Sequence, residues 1–243
     1  MVRNGGDEVE QSTKKPKLVN LSDYSELTRV SEYGVFASFT AIYNRVSVPR
    51  NLSYLYCGVV EEFCEFKAAV KTLHQVMQEE TKEEELEKKG DVSSEEESPK
   101  VAAQRLGVLK ELGDVTWYLT SMCNELKVDL ESVVQFTEEL EEDKTIQLNS
   151  ASSEQLSDLM DQVLSNLGTI GGKVKKSIRD DNEIVTDEKK KVIVQCIREV
   201  FQVISEELCP RFRSSIREVM RLNAAKAASR FARGVVQGDG DNR

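Results

Sequence analysis

The sequence predicts an all-α fold, on three observations. The 243 residues include only four prolines, so little interrupts a helix. Two long stretches repeat apolar residues at the three- and four-residue spacing of a buried helix face. The sustained heptads of a coiled coil are missing, because glycines and linkers break the pattern.

In chain order, residues 1–20 read as a flexible tail, polar and glycine-containing; its KKPK cluster, Lys14 to Lys17, is a candidate nuclear import signal. A first helix is expected from about Ser22 to Arg45, carrying Val35, Phe36, Phe39, Ile42 and Tyr43 and stopped by Pro49. From Leu52 to Met77, the residues Leu52, Leu55, Val59, Phe63, Phe66, Val70, Leu73 and Met77 form one stripe. Glu62 and Glu65 flank it, and Glu61 points to water. The charge run over 79–99, with Gly90, Ser93, Ser94 and Pro99, is expected to be a solvated, mobile loop.

Arg105 to Leu126 predicts a further helix, with Val108, Leu112, Val115, Leu119, Met122 and Leu126 on one side. Glu111 and Asp114 sit beside that stripe at i, i+3, and Tyr118 lies above them. Another helix is expected from about Asp129, turning Leu130, Val133, Val134 and Leu140 inward. Residues 234–243 read as a second disordered tail.

Composition excludes several classes. A net charge of −10 and a pI near 4.9 argue against nonspecific nucleic-acid or membrane binding. No apolar run approaches the roughly eighteen residues of a membrane span, and no signal-peptide apolar region opens the chain. A soluble, cytoplasmic protein is expected. Five scattered cysteines and a single histidine, His74, fit neither a structural zinc site nor a disulfide framework; they read as packed thiols and a surface or packing residue.

The chemistry-bearing feature is the two acid pairs. Like charges at i, i+3 repel unless a cation lies between them. If the two helices run antiparallel, Glu62, Glu65, Glu111 and Asp114 converge, and oxygen-only donors without histidine suit Mg²⁺ or Mn²⁺ rather than zinc. Charged residues make up 31% of the chain, so acid pairs three apart also arise as ordinary surface acids.

GVVEEFCEF (Gly58 to Phe66) followed by KELGDVTWYL (Lys110 to Leu119) resembles the paired Glu-x-x-Glu and Glu-x-x-Asp motifs of the all-α, MazG-like nucleoside triphosphate pyrophosphatases. VPRNLSYLY (Val48 to Tyr56) is similar to the Pro-Arg-Asn-Leu entry of the dCTP pyrophosphatase branch. The resemblance implies an antiparallel four-helix-bundle fold and Mg²⁺ held by the four carboxylates. It also places Tyr118 beside the substrate, and Tyr43, Arg50 and Asn51 at the nucleobase. As the N-cap of its helix, Asn51 has an equally good structural explanation.

One departure stands out. The family's Asn-x-x-Lys-x-x-x-Arg phosphate cluster falls on Glu141, Lys144 and Leu148 in the expected helix, whereas Asn223, Lys226 and Arg230 reproduce its spacing 82 residues later. CIREVFQVISEELCPRFRSSI (Cys196 to Ile216) aligns without a gap over Asp114 to Val134. We therefore read 21–148 as a first half with the metal site and 152–233 as a degenerate second copy. In that register Ile193 replaces Glu111, Cys196 replaces Asp114, and LGTIGGKV (Leu167 to Val174) replaces the Glu-x-x-Glu helix. Because family subunits pair, the two copies are expected to form a pseudo-dimer within one chain, further homodimerisation being open.

The activity so implied is hydrolysis of a nucleoside triphosphate, dCTP or a modified pyrimidine deoxynucleotide, to monophosphate and pyrophosphate. Glu62, Glu65, Glu111 and Asp114 would be the catalytic acids, with Asn223, Lys226 and Arg230 on the phosphates. A second class stays open: a catalytically inactive helical interaction module with a relic metal site. Turnover separates the two.

Overall fold

The computed structural model describes residues 27–87, 97–134 and 153–233. Among them the regular structure is entirely helical: α1 (Val30–Thr40), α2 (Val48–Glu87), α3 (Pro99–Glu125), a 3₁₀ turn (Leu130–Ser132), α4 (Ser153–Arg179), α5 (Asp187–Gln202), a π-helical stretch (Val203–Leu208), a short α6 (Cys209–Arg211) and α7 (Ile216–Ala232). No helix of the described residues is long and apolar enough to cross a membrane.

The predicted stripes form the core. Leu52, Leu55, Val59, Phe63, Phe66 and Leu73 of α2 are fully buried, as are Val108, Leu112, Val115, Leu119 and Met122 of α3. Each such side chain contributes about 1.5–3 kcal/mol through the apolar area taken from water. The two helices are antiparallel: Ser98 at the start of α3 bonds Glu80 late in α2, and Asn51 at the start of α2 bonds Glu125 at the end of α3. Each step along α2 is thus matched by a step back along α3. α4 pairs with α5 and also packs on α2, while α7 and α1 cover α3.

Close approach is built into the sequence at glycines. A Cβ on Gly58 would lie 2.1 Å from the Tyr118 ring, and one on Gly171 would lie 2.5 Å from the Tyr56 ring. The LGTIGGKV segment is helical, and within it Gly171 makes room for α2.

Three expectations about elements are corrected. The first helix is shorter: it spans only Val30–Thr40, with Tyr33, Phe36 and Ala37 facing inward while Val35, Phe39 and, beyond its end, Ile42 are about half exposed. Glu32 anchors its start by accepting from the Thr28 and Arg29 amides. The chain leaves the helix at Ala41 in an extended conformation, and just beyond it Tyr43 donates to Glu125 at 2.7 Å. Second, Pro49 does not stop α1; it is the second residue of α2, where the missing N–H would be unpaired in any case. Asn51 is then in the first turn rather than at the N-cap, and its Oδ1 accepts from the Val46 amide at 3.0 Å.

Third, the acidic run is not all loop. α2 continues through residues 79–87, since Glu and Lys are good helix formers, and the start of α3 is tied back by Lys100 to Glu79. Residues 88–96 lie outside the described residues, as do both tails, Leu140, Glu141, Lys144 and Leu148. Leu130, Val133 and Val134 are buried as expected.

Candidate functional site

Antiparallel pairing brings the acid pairs of α2 and α3 face to face. Glu62, Glu111 and Asp114 each offer a carboxylate oxygen, and the three oxygens lie within 4.8 Å of one another. Glu65, expected as the fourth member, is exposed one turn along and outside the triad, though close enough to act on Glu62 electrostatically. Three hard oxygen donors at this separation fit a divalent cation of the Mg²⁺ or Mn²⁺ type, and without nitrogen or sulfur they do not suit zinc.

The triad is strained electrostatically. Burial, and then the charges of Asp114, Glu65 and Glu111, push the Glu62 carboxyl up to about 8, against a smaller opposing effect of Lys226. Near neutral pH the metal-free Glu62 therefore carries a proton most of the time.

α7 crosses α3 at Gly113. A Cβ there would meet Asn223 Cβ at 3.0 Å and the Val219 carbonyl at 3.2 Å, so only glycine admits this approach without displacement. The crossing delivers two of the three expected phosphate residues to the acids. Asn223 Nδ2 donates to Asp114 Oδ1 at 2.7 Å, and Lys226 Nζ donates to Oδ2 at 2.6 Å. The ion pair is mostly sheltered, with the lysine side chain 11% and the aspartate 16% exposed. Arg230 lies one turn further on α7, half-buried.

Behind Asn223 stands a residue that periodicity did not single out. Tyr33 is fully buried and its hydroxyl donates to Asn223 Oδ1 at 2.8 Å, with Thr116 Oγ1 at 3.3 Å. Burial holds this phenol far above the usual tyrosine range, so it stays a donor. The bond fixes which end of the Asn223 amide faces Asp114.

Further along the bundle, by about 16 Å of helical rise, a second polar cluster forms at Glu125. Tyr43 Oη and Asn51 Nδ2 donate to opposite oxygens of this carboxylate at 2.7 and 2.9 Å, and Arg45 lies at 3.4 Å. Glu125 was missed because it has no partner at helical spacing. Tyr54, half exposed, packs at 5.2 Å on Tyr43. Tyr118 fills the space over Gly58 between the two clusters and makes an edge contact with Trp117 at 4.9 Å. Arg50 goes elsewhere: it ion-pairs with Glu183 in the α4–α5 connection, where Ser47 also donates at 2.9 Å.

In α5, Ile193 and Cys196 are buried, apolar or weakly polar, and bring no charge to the positions aligned with Glu111 and Asp114. Comparison with protein-family models, curated proteins and solved structures found no match to the chain.

Proposed function

We propose that this chain is a Mg²⁺-dependent nucleoside triphosphate pyrophosphohydrolase of the MazG-like kind, acting on dCTP or a related pyrimidine deoxynucleotide. Water adds to the α-phosphorus, the bond from that phosphorus to the bridging oxygen of the β-phosphate breaks, and the products are the monophosphate and pyrophosphate. The observation that carries the reading is the meeting of Asn223 and Lys226 with Asp114, beside Glu62 and Glu111. Residues about a hundred positions apart, which the motif spacing singled out separately, come together at one place.

On this reading Glu62, Glu111 and Asp114 hold the divalent cation, which when bound neutralises phosphate charge and activates water. Glu65, exposed one turn along from the triad, completes the acid set or accepts the proton of the attacking water. Lys226 and Arg230 stabilise charge growing on the phosphates. Asn223, locked by Tyr33, keeps Asp114 in a fixed orientation. Tyr118 and Tyr54 offer faces to the nucleoside, and the Tyr43, Asn51 and Glu125 cluster provides polar groups beyond them. Arg50, engaged by Glu183, serves the bundle rather than the base.

The halves are a decayed tandem repeat that forms a pseudo-dimer, with one working site using acids of the first and the α7 cluster of the second. This is supported by the similar pairing of α2 with α3 and α4 with α5, and by the uncharged Ile193 and Cys196. One observation favours the second reading, an inactive interaction module: Lys226 already neutralises Asp114. Incubating the purified chain with a panel of deoxynucleoside triphosphates and Mg²⁺ decides. Monophosphate and pyrophosphate in equal amounts support the enzyme; no release from any of them overturns it.

A further inference from the structure

The ion pair that favours an inactive protein has another consequence. Lys226 Nζ sits 2.6 Å from Asp114 Oδ2, and its charge also reaches Glu62. A lysine ammonium and a divalent cation placed against the same carboxylates compete, because both are attracted to the same oxygens and repel one another. Asp114 is not symmetric in this respect. Its Oδ1 is held by Asn223, which is 5% exposed and itself fixed by the buried Tyr33, whereas Oδ2 is held by the flexible end of a lysine. The first contact is part of the core, whereas the second rests on an ammonium at the end of a flexible four-carbon stem.

Resting on the pyrophosphohydrolase reading, we propose that Lys226 is a resident cation which guards Asp114 Oδ2 in the metal-free protein and yields it only when a polyphosphate arrives. The triphosphate offers Lys226 a new anionic partner, Lys226 swings from the carboxylate to a phosphate oxygen, and Oδ2 becomes a metal ligand. The consequence is ordered recognition: the site binds a free divalent cation poorly and the metal–polyphosphate pair well. By linkage each of the two ligands strengthens the other. The same lysine offsets part of the repulsion that Asp114, Glu65 and Glu111 exert on Glu62 while no metal is bound.

The test is Mn²⁺ binding without nucleotide, followed by calorimetry or by the loss of free-ion paramagnetic resonance signal, in the full chain. Lys226→Met removes the charge and nearly keeps the shape, and is expected to bind Mn²⁺ at least about tenfold more tightly than wild type. Lys226→Arg keeps the charge and is expected to bind as weakly as wild type. Adding a non-hydrolysable triphosphate is expected to raise Mn²⁺ affinity more in wild type than in Lys226→Met. Helical circular dichroism checks folding, and Lys226→Gln serves in place of a methionine variant that does not fold. Equal Mn²⁺ affinity in wild type and the uncharged variants overturns the guard while leaving the metal site standing. Absence of Mn²⁺ binding in all of them, with or without triphosphate, overturns the metal reading itself.

Discussion

Tyr33 donates its hydroxyl to the Asn223 side chain across 2.8 Å, joining residues 190 positions apart in the sequence. The Asn223 amide in turn donates to Asp114, so three helices, α1, α7 and α3, meet in one buried chain of hydrogen bonds. Tyr33→Phe leaves the ring in place and removes only the lock on Asn223. We expect about 1 kcal/mol of lost stability and about a tenfold fall in kcat. A double-mutant cycle separates positioning from stability: the effect of Tyr33→Phe on kcat should vanish in an Asn223→Ala background. A change in Tm with kcat unaltered would assign Tyr33 to packing alone.

Gly113→Ala probes the crossing of α7 over α3. The added methyl meets the Val219 carbonyl at 3.2 Å, an atom of the backbone that cannot rotate away. The expected result is a loss of about 1–3 kcal/mol from overpacking together with reduced turnover, as Asn223 and Lys226 are pushed from Asp114. Gly107→Ala is the control, because its Cβ would enter open space; it should retain full activity and gain stability through helix propensity. Equal behaviour of the two variants in thermal unfolding and turnover would contradict the tight crossing.

The metal-free protein should lose stability as pH rises. Glu62 is raised to about 8 in the folded state, so the folded chain holds this proton more tightly than the unfolded one. Its stabilising contribution is complete below the usual carboxylate range and is lost as pH climbs through about 8. Urea unfolding between about pH 5 and about pH 9 measures this, with Glu62→Gln as the comparison. The variant should show a smaller fall over that window, and excess Mg²⁺ should reduce the fall in wild type. An identical fall in wild type and variant, without metal, would show that Glu62 is not the group responsible.

The fold was legible where one face of a helix is buried and the other is wet. The stripes of α2 and α3 follow the three- and four-residue period because each packs along the other, and the acid pairs lie at the edge of that packing. The buried face of α1 was not legible, since Phe36 is buried while Val35 and Phe39, equally apolar, are about half exposed. The extension of α2 through residues 79–87 was hidden by charge: composition reports solvation there, while helix formation needs no apolar face when the residues are Glu and Lys. At the site, Glu62, Glu111 and Asp114 were read from spacing, and Asn223 and Lys226 from their motif. Tyr33 and Glu125 left no local trace, because what they do depends on partners brought in by the tertiary fold.

The central claim is that a single site uses acids from α2 and α3 together with α7. Calorimetric titration of the full-length chain with a non-hydrolysable deoxynucleoside triphosphate and Mg²⁺ tests it most directly. The account predicts one nucleotide bound per chain, with affinity reduced by about tenfold or more in both Asp114→Asn and Lys226→Ala. Two equivalent sites per chain, or full affinity in either variant, would contradict it.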